Sequence, residues 1–145
     1  MVERGGCAKA GIEIRFVKSW PMQQILDLYA AGGWLDGSET NSFVKKVIAG
    51  SFVFAVAVDK DSGKAVGMGR VLSDGVSDAY IQEVVVLPEC RRRNVGKKLI
   101  VALRDYCLKK KITWIALVAE PDTEGFYRGL GFKRMDEYSP MRFIV

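Results

Sequence analysis

The chain has 145 residues, 49% of them hydrophobic, enough for one domain with a real core and no disulfide scaffold. Its 22 basic and 17 acidic residues leave a net charge of +5, and it contains no histidine. Cys-His and Ser-His catalysis and the common zinc sites are therefore excluded, and a general base must be a carboxylate, a lysine, a tyrosine or a water relay.

No stretch approaches the roughly 18 apolar residues of a membrane span. The start, Met1-Val2-Glu3-Arg4-Gly5-Gly6, is glycine-rich where a secretory signal would need an apolar core. Cys7, Cys90 and Cys107 are odd in number and widely spaced, which predicts free thiols in a reducing compartment. The expectation is a cytoplasmic protein with a flexible segment over residues 1–11 and one domain over residues 12–145.

Ile12 to Val17 alternates and reads as a first strand; Ser19-Trp20-Pro21 then leads into a helix marked by Met22, Ile25, Leu26 and Tyr29. Gly32-Gly33 ends that helix, Trp34-Leu35-Asp36-Gly37 forms a loop, and Phe43, Val44, Val47 and Ile48 predict a second helix before Gly50. Phe52 to Val58 and Ala65 to Leu72 are branched apolar runs on either side of a polar turn, the pattern of an antiparallel hairpin. Asp74-Gly75 turns the chain into a fourth strand, Tyr80 to Leu87. Leu99, Leu103, Tyr106 and Cys107 mark one face of a long helix, closed by Lys109-Lys110-Lys111, where cations suit the helix dipole.

Thr113 to Val118 is a nearly continuous β-former run, as expected of a buried parallel partner of the fourth strand joined by a right-handed crossover. Pro121 opens a short helix through Tyr127 to Leu130, and Phe132 with Met141 to Val145 supplies final strand material. The fold class is mixed α/β with a central sheet.

Between the fourth strand and its helix lies Arg91-Arg92-Arg93-Asn94-Val95-Gly96-Lys97-Lys98, with five basic groups and no acid, so the rest of the chain is formally neutral. A helix start leaves its first N–H groups unpaired and its dipole favours an anion there; arginine forks and lysine point charges suit phosphate oxygens. The alternative for such a run is a solvated turn. The neighbouring buried strand and the isolation of the charge favour a phosphate-bearing ligand. The patch is compact and has no interleaved aromatic platform, so neither nucleic acid nor membrane is expected as a partner.

Two segments carry a family resemblance. Val86-Leu87-Pro88-Glu89-Cys90-Arg91-Arg92-Arg93-Asn94-Val95-Gly96 resembles the strand exit and pyrophosphate loop, Arg/Gln-x-x-Gly-x-Gly/Ala, of the GCN5-related N-acetyltransferase (GNAT) superfamily. Gly125-Phe126-Tyr127-Arg128-Gly129-Leu130-Gly131-Phe132 resembles its Phe-Tyr-x-x-x-Gly-Phe segment. The resemblance covers about residues 12–145 and is strongest over residues 80–133. Asn94 departs from the usual first glycine of the loop, and asparagine tolerates left-handed geometry better than most residues.

By that resemblance the fold is a mixed sheet splayed around acetyl-coenzyme A, with flanking helices. Val84, Val85 and Val86 would pair with the pantetheine arm, and Arg91, Arg92, Arg93, Asn94, Val95, Gly96 and Lys97 would wrap the diphosphate. The Val86 N–H would polarise the thioester carbonyl, and Tyr127 would protonate the departing thiolate, the alternative for Tyr127 being a core pair with Phe126. Glu83 interrupts the apolar strand just upstream and is the expected base, with Asp78, Glu120 or a water chain as alternatives. Trp34, Phe54, Arg70 and Tyr138 are the acceptor-pocket candidates, aromatics for an amine and Arg70 for a carboxylate or phosphate. No metal is called for.

The resemblance implies acetyl transfer to a primary amine of a small molecule. Glucosamine-6-phosphate N-acetyltransferase and a non-catalytic acyl-coenzyme A sensor remain as alternatives. Exposed sheet edges or the C-terminus leave room for a homodimer, which no residue pattern fixes.

Overall fold

The computed structural model describes Cys7 and residues 9–145; the expected flexible segment therefore lies outside the described residues at positions 1–6 and 8. The elements are β1 (Ile12–Phe16), α1 (Met22–Ala31), α2 (Phe43–Gly50), β2 (Val53–Asp59), β3 (Ala65–Ser73), β4 (Asp78–Val86), a 3-10 turn (Pro88–Cys90), α3 (Val95–Lys109), β5 (Trp114–Ala116) and α4 (Glu124–Arg128). They form one five-stranded sheet in the order β1-β2-β3-β4-β5. All neighbours are antiparallel except β4 and β5, which α3 joins as a parallel crossover.

The sheet has a core on each face, which explains why β2 is buried along its whole length. Val53, Ala55 and Ala57 face α3, while Phe54, Val56 and Val58 face α1 and α2. The α3 side uses small sheet residues so that the helix can lie close. A methyl group on Gly67 would stand 3.1 Å from Leu99 Cδ1, and one on Gly69 3.0 Å from Leu103 Cδ1. Leu99 and Leu103 are fully buried, each contributing about 1.5–3 kcal/mol of transfer free energy.

Three expectations are corrected. β5 is three residues long, not six, because its pairing with β4 stops at Tyr80↔Ala116 and the two strands then part. Residues 132–145 form no strand, and Met141, Phe143, Ile144 and Val145 are exposed; β-forming side chains make a strand only where an edge accepts them. Cys7 and Cys90 are joined as a disulfide across 83 residues, and Cys107 alone is a free thiol, buried against the α3 core. Spacing along the chain could not show that the N-terminal segment folds back beside the β4–α3 turn. The Lys9 and Ala10 N–H groups fasten it further by donating to Asp61 Oδ2 at 2.8 and 3.2 Å.

Candidate functional site

The parting of β4 from β5 leaves a wedge beside the end of β4. Leu87 N–H donates to Val66 O at 2.8 Å, one step past the Gly67↔Val86 pair. In an antiparallel ladder this makes Gly67↔Val86 a non-hydrogen-bonded pair, so the Val86 N–H and C=O point away from β3 into the wedge. Val84 repeats that orientation by alternation, whereas Val85 pairs with Met68 and buries its side chain in the core beneath α1 and α2. The Val86 carbonyl accepts from Arg91 Nε at 3.0 Å, so its N–H is the group left free.

β4 carries a bulge, its register against β3 slipping between Met68↔Val85 and Arg70↔Gln82. Ala79 and Ile81 face α3, and strict alternation would send Glu83 into the same apolar core. The extra residue, with Glu83 at φ 56°, turns its carboxylate to the α1 face instead. There Arg70 grips it, Nε to Oε2 at 2.8 Å and Nη2 to Oε1 at 3.2 Å, and the Tyr29 phenol donates to Oε2. The two side chains of the ion pair are 13% and 21% exposed. Removing either partner would leave a largely desolvated charge, at a cost of about 2–4 kcal/mol after allowance for that exposure.

Beyond Val86 the chain makes its 3-10 turn and enters the basic loop. Arg92 (φ 62°) and Asn94 (φ 61°) are both left-handed, and Asn94 is the N-cap residue of α3. This alternation makes a backbone nest, a concavity of N–H groups suited to an anion. Asn94 thus supplies the geometry for which glycine is usual. The N–H groups of Val95, Gly96 and Lys97 open α3, where none can bond within the helix. Together with Val86, Cys90, Arg91, Arg92 and Phe126 these residues line a cleft of about 280 Å³.

The five basic side chains of the run are not equivalent. Arg91 is held on the Val86 carbonyl and Arg93 donates to the Cys7 carbonyl at 2.6 Å, so Arg93 is turned away from the cleft. Arg92 and Lys97 line it without a protein partner among the described residues. This donor set, two free cations, a nest and three unpaired helix N–H groups, fits a diphosphate.

Tyr127 lies in α4, half-buried, edge-on to Phe126 at 5.0 Å and to Phe132 at 5.9 Å. Burial, and then the negative charge of Glu120, push its phenol above the ordinary tyrosine pKa, so it keeps its proton at neutral pH. Phe126, which a core pair with Tyr127 would bury, is 42% exposed and forms a lip of the cleft, and a methyl group on Gly96 would stand 3.4 Å from its Cζ. Its adjacency to Tyr127 was the sequence signal for that position.

A second cavity, of about 560 Å³, opens on the α1 face. Its walls include Trp34, Asp36, Glu39, Phe43, Lys46 and Arg70. Trp34 folds back over the end of α1 because residue 32 is glycine: a methyl group there would stand 2.5 Å from the indole ring. The loop is braced from within, Glu39 accepting the Asp36 and Gly37 N–H groups at 2.8 and 3.0 Å, and Asp36 accepting from Ser38. The Ser38 hydroxyl, and then the Ser38 N–H, hold the Asp36 carboxyl below its usual range.

Of the four acceptor candidates, Trp34 and Arg70 line this cavity and two do not. Phe54, 2% exposed, is core beneath the helices, and Tyr138, 67% exposed, stands on the C-terminal segment. Tyr29, Asp36, Glu39, Phe43 and Lys46 were missed, since no local motif ties the α1–α2 loop to β3. Of the alternative bases, Asp78 stands at the far end of β4, about 27 Å along the strand from Val86, and Glu120 is exposed near Tyr127. Among the described residues no three His, Cys, Asp or Glu side chains gather as a metal site, and no helix is long and apolar enough to cross a membrane.

Comparison with known proteins agrees with the fold. Residues 20–132 match the family described as Acetyltransferase (GNAT) family. A GNAT-family acetyltransferase from Streptococcus pneumoniae superposes with a TM-score of 0.75 at 28% identity, over 92% of this chain and 98% of that one. Glucosamine-6-phosphate N-acetyltransferase from Arabidopsis thaliana superposes with a TM-score of 0.70, over 92% and 99% of the two chains, but at 19% identity the likeness is one of fold alone. Serotonin N-acetyltransferase 2, chloroplastic, of Oryza sativa subsp. japonica is 37% identical over 76 residues, 52% of this chain and 38% of that protein. The chain thus spans well under half the length of that relative.

Proposed function

Because the chain belongs to the acetyltransferase (GNAT) family, we propose that it transfers the acetyl group of acetyl-coenzyme A to a primary amine of a small molecule, by direct attack within a ternary complex. The observation that carries this reading is the wedge at the end of β4. An unpaired strand edge runs straight into a nest and a helix N-terminus, so one continuous backbone offers strand-like pairing to an amide-bearing arm and N–H donors to a diphosphate.

Acetyl-coenzyme A supplies the activated acetyl group. Arg92, Lys97 and the N–H groups of residues 95–97 hold its diphosphate, and Phe126 closes the cleft beside it. The Val86 N–H donates to the thioester oxygen as negative charge develops there, which favours the transition state over the ground state. Glu83 takes the proton that the amine must lose, directly or through a water, and Tyr127 returns a proton to the sulfur as the C–S bond breaks.

The acceptor lies in the cavity walled by Trp34 and Phe43, whose ring faces suit an amine. Arg70 lines that cavity too, but its fork is spent on Glu83, which weighs against an acceptor phosphate bound there and so against the amino-sugar phosphate alternative. A cytoplasmic location and a homodimer belong to the same proposal; the Cys7–Cys90 disulfide weighs against the former, and the exposed Met141, Phe143 and Ile144 support the latter.

The test is an acceptor screen followed by coenzyme A release, beginning with serotonin, polyamines and glucosamine 6-phosphate. Turnover with a phosphate-free amine is the expected result. Turnover with glucosamine 6-phosphate alone would overturn the acceptor assignment, and binding without turnover across the panel would favour a sensor.

A further inference from the structure

The acceptor cavity and the wedge are linked by a side chain that lines neither. Tyr29, on α1, is 2% exposed. Its ring meets Trp34 edge-on at 6.0 Å and Phe43 edge-on at 5.2 Å, both walls of the cavity, while its phenol donates to Glu83 Oε2, 54 residues away in the chain. Burial, then the hydrogen bond and charge of Glu83, push the phenol far above the ordinary tyrosine pKa, with Arg70 pulling the other way, so Tyr29 keeps its proton and donates.

A carboxylate offers about four acceptor positions, two on each oxygen. Here Oε2 has both filled, by Arg70 Nε and by Tyr29, and Oε1 has one filled, by Arg70 Nη2. One position is left, and it is on Oε1. Glu83 also holds a left-handed backbone conformation, which a non-glycine residue keeps only where its surroundings over-determine it. Tyr29 and Arg70, approaching from a helix and from the neighbouring strand, are the groups that grip its side chain.

We propose that Tyr29 is a positioning residue for acetyl transfer: with Arg70 it saturates Oε2 of Glu83, so that the carboxylate meets the acceptor amine, or a water held on it, through Oε1 alone. This rests on the reading of Glu83 as proton acceptor. The amine proton passes to Oε1, the nitrogen lone pair forms the new C–N bond, the C–S bond breaks, and the sulfur takes its proton from Tyr127. Tyr29 itself gives up no proton.

Four proteins test it: wild type, Tyr29→Phe, Glu83→Gln and the double variant, each followed by coenzyme A release with the amine of the panel that wild type turns over fastest and with water alone as acceptor. Phenylalanine keeps both aromatic contacts and removes only the hydroxyl. Loss of one hydrogen bond of this kind is expected to lower kcat about tenfold, with the KM for acetyl-coenzyme A unchanged, and to cost nothing further once Glu83 is glutamine. Equal losses in both backgrounds, the result of a merely structural role, overturn the proposal while leaving the Glu83→Gln loss intact. An undiminished rate in Glu83→Gln overturns the reading of Glu83 and the inference with it. A wild-type protein that releases no coenzyme A with any amine of the panel removes the reaction itself, and the inference too.

Discussion

Two clefts flank the end of β4, and they are built in opposite ways. The basic cleft uses residues 86–97 in one run together with Phe126, and most of its donors are backbone N–H groups held by two left-handed residues and a helix start. The aromatic cavity draws on the α1–α2 loop, α2 and β3, and its character resides in side chains. A cleft made of backbone depends on conformation and tolerates exchange of many side chains. A cavity made of side chains changes its ligand whenever one of them changes. On the proposed function, one protein can thus keep a constant acyl donor beside an adaptable acceptor site.

Tyr127 lines neither cleft but stands beside Phe126 at the lip of the basic one, and on the proposed mechanism its loss is expected to have the largest effect. Tyr127→Phe should lower kcat about 10²–10⁴-fold, the usual range for a general acid, with acetyl-coenzyme A affinity unchanged. The sign of its pH dependence follows from its shift. The phenol must be protonated to act, and burial with Glu120 raises its pKa, so wild-type kcat should hold as pH rises through the ordinary tyrosine range and fall only above it. A rate profile of Tyr127→Phe that matches wild type would remove the proton-donor role.

Cys7→Ser tests whether the basic cleft owes its shape to more than its own run. Breaking the link to Cys90 should cost about 2–4 kcal/mol of stability, seen as a lower Tm under non-reducing conditions. An unchanged Tm would show that the Cys7–Cys90 link adds nothing to the stability of the fold.

Within the cleft, Arg92→Ala and Lys97→Ala should each weaken acetyl-coenzyme A binding about tenfold or more, as for loss of a charge-assisted contact. Arg93→Ala, turned towards Cys7, should leave binding nearly unchanged. Equal losses at all three positions, measured by calorimetry, would mean that the run acts as diffuse charge and not as a shaped cleft.

The smallest effect should fall on the cavity alone. Gly32→Ala drives a methyl group into the Trp34 ring, so Trp34 must move. The KM of the acceptor should rise up to about tenfold, the scale of a lost cation–π wall, with acetyl-coenzyme A affinity untouched. A change in both constants would show the two clefts to be coupled.

The same contrast governs what could be read from the sequence. Element order and the β4–α3 cleft were legible because strand, turn and helix start are consecutive, and Asn94 adopts the left-handed geometry expected of it. The bulge at Glu83 was not legible, since period-two alternation cannot show where a residue is inserted, and with it went the grip of Arg70 and Tyr29. Phe54 and Tyr138 failed as acceptor candidates for a related reason: an aromatic in a strand or a tail carries no mark of whether a helix covers it. The C-terminal apolar run looked like a strand by composition, yet no described edge receives it. The disulfide escaped notice because its partners are 83 residues apart and only tertiary folding brings them together.

The central claim is that the basic cleft holds the diphosphate of an acyl-coenzyme A. Calorimetric titration of the ligand-stripped protein with acetyl-coenzyme A, coenzyme A and adenosine diphosphate tests it most directly. Saturable acetyl-coenzyme A binding at roughly micromolar strength, about 8 kcal/mol, weakened in Arg92→Ala, is the predicted result; no binding of any of the three ligands would contradict the account.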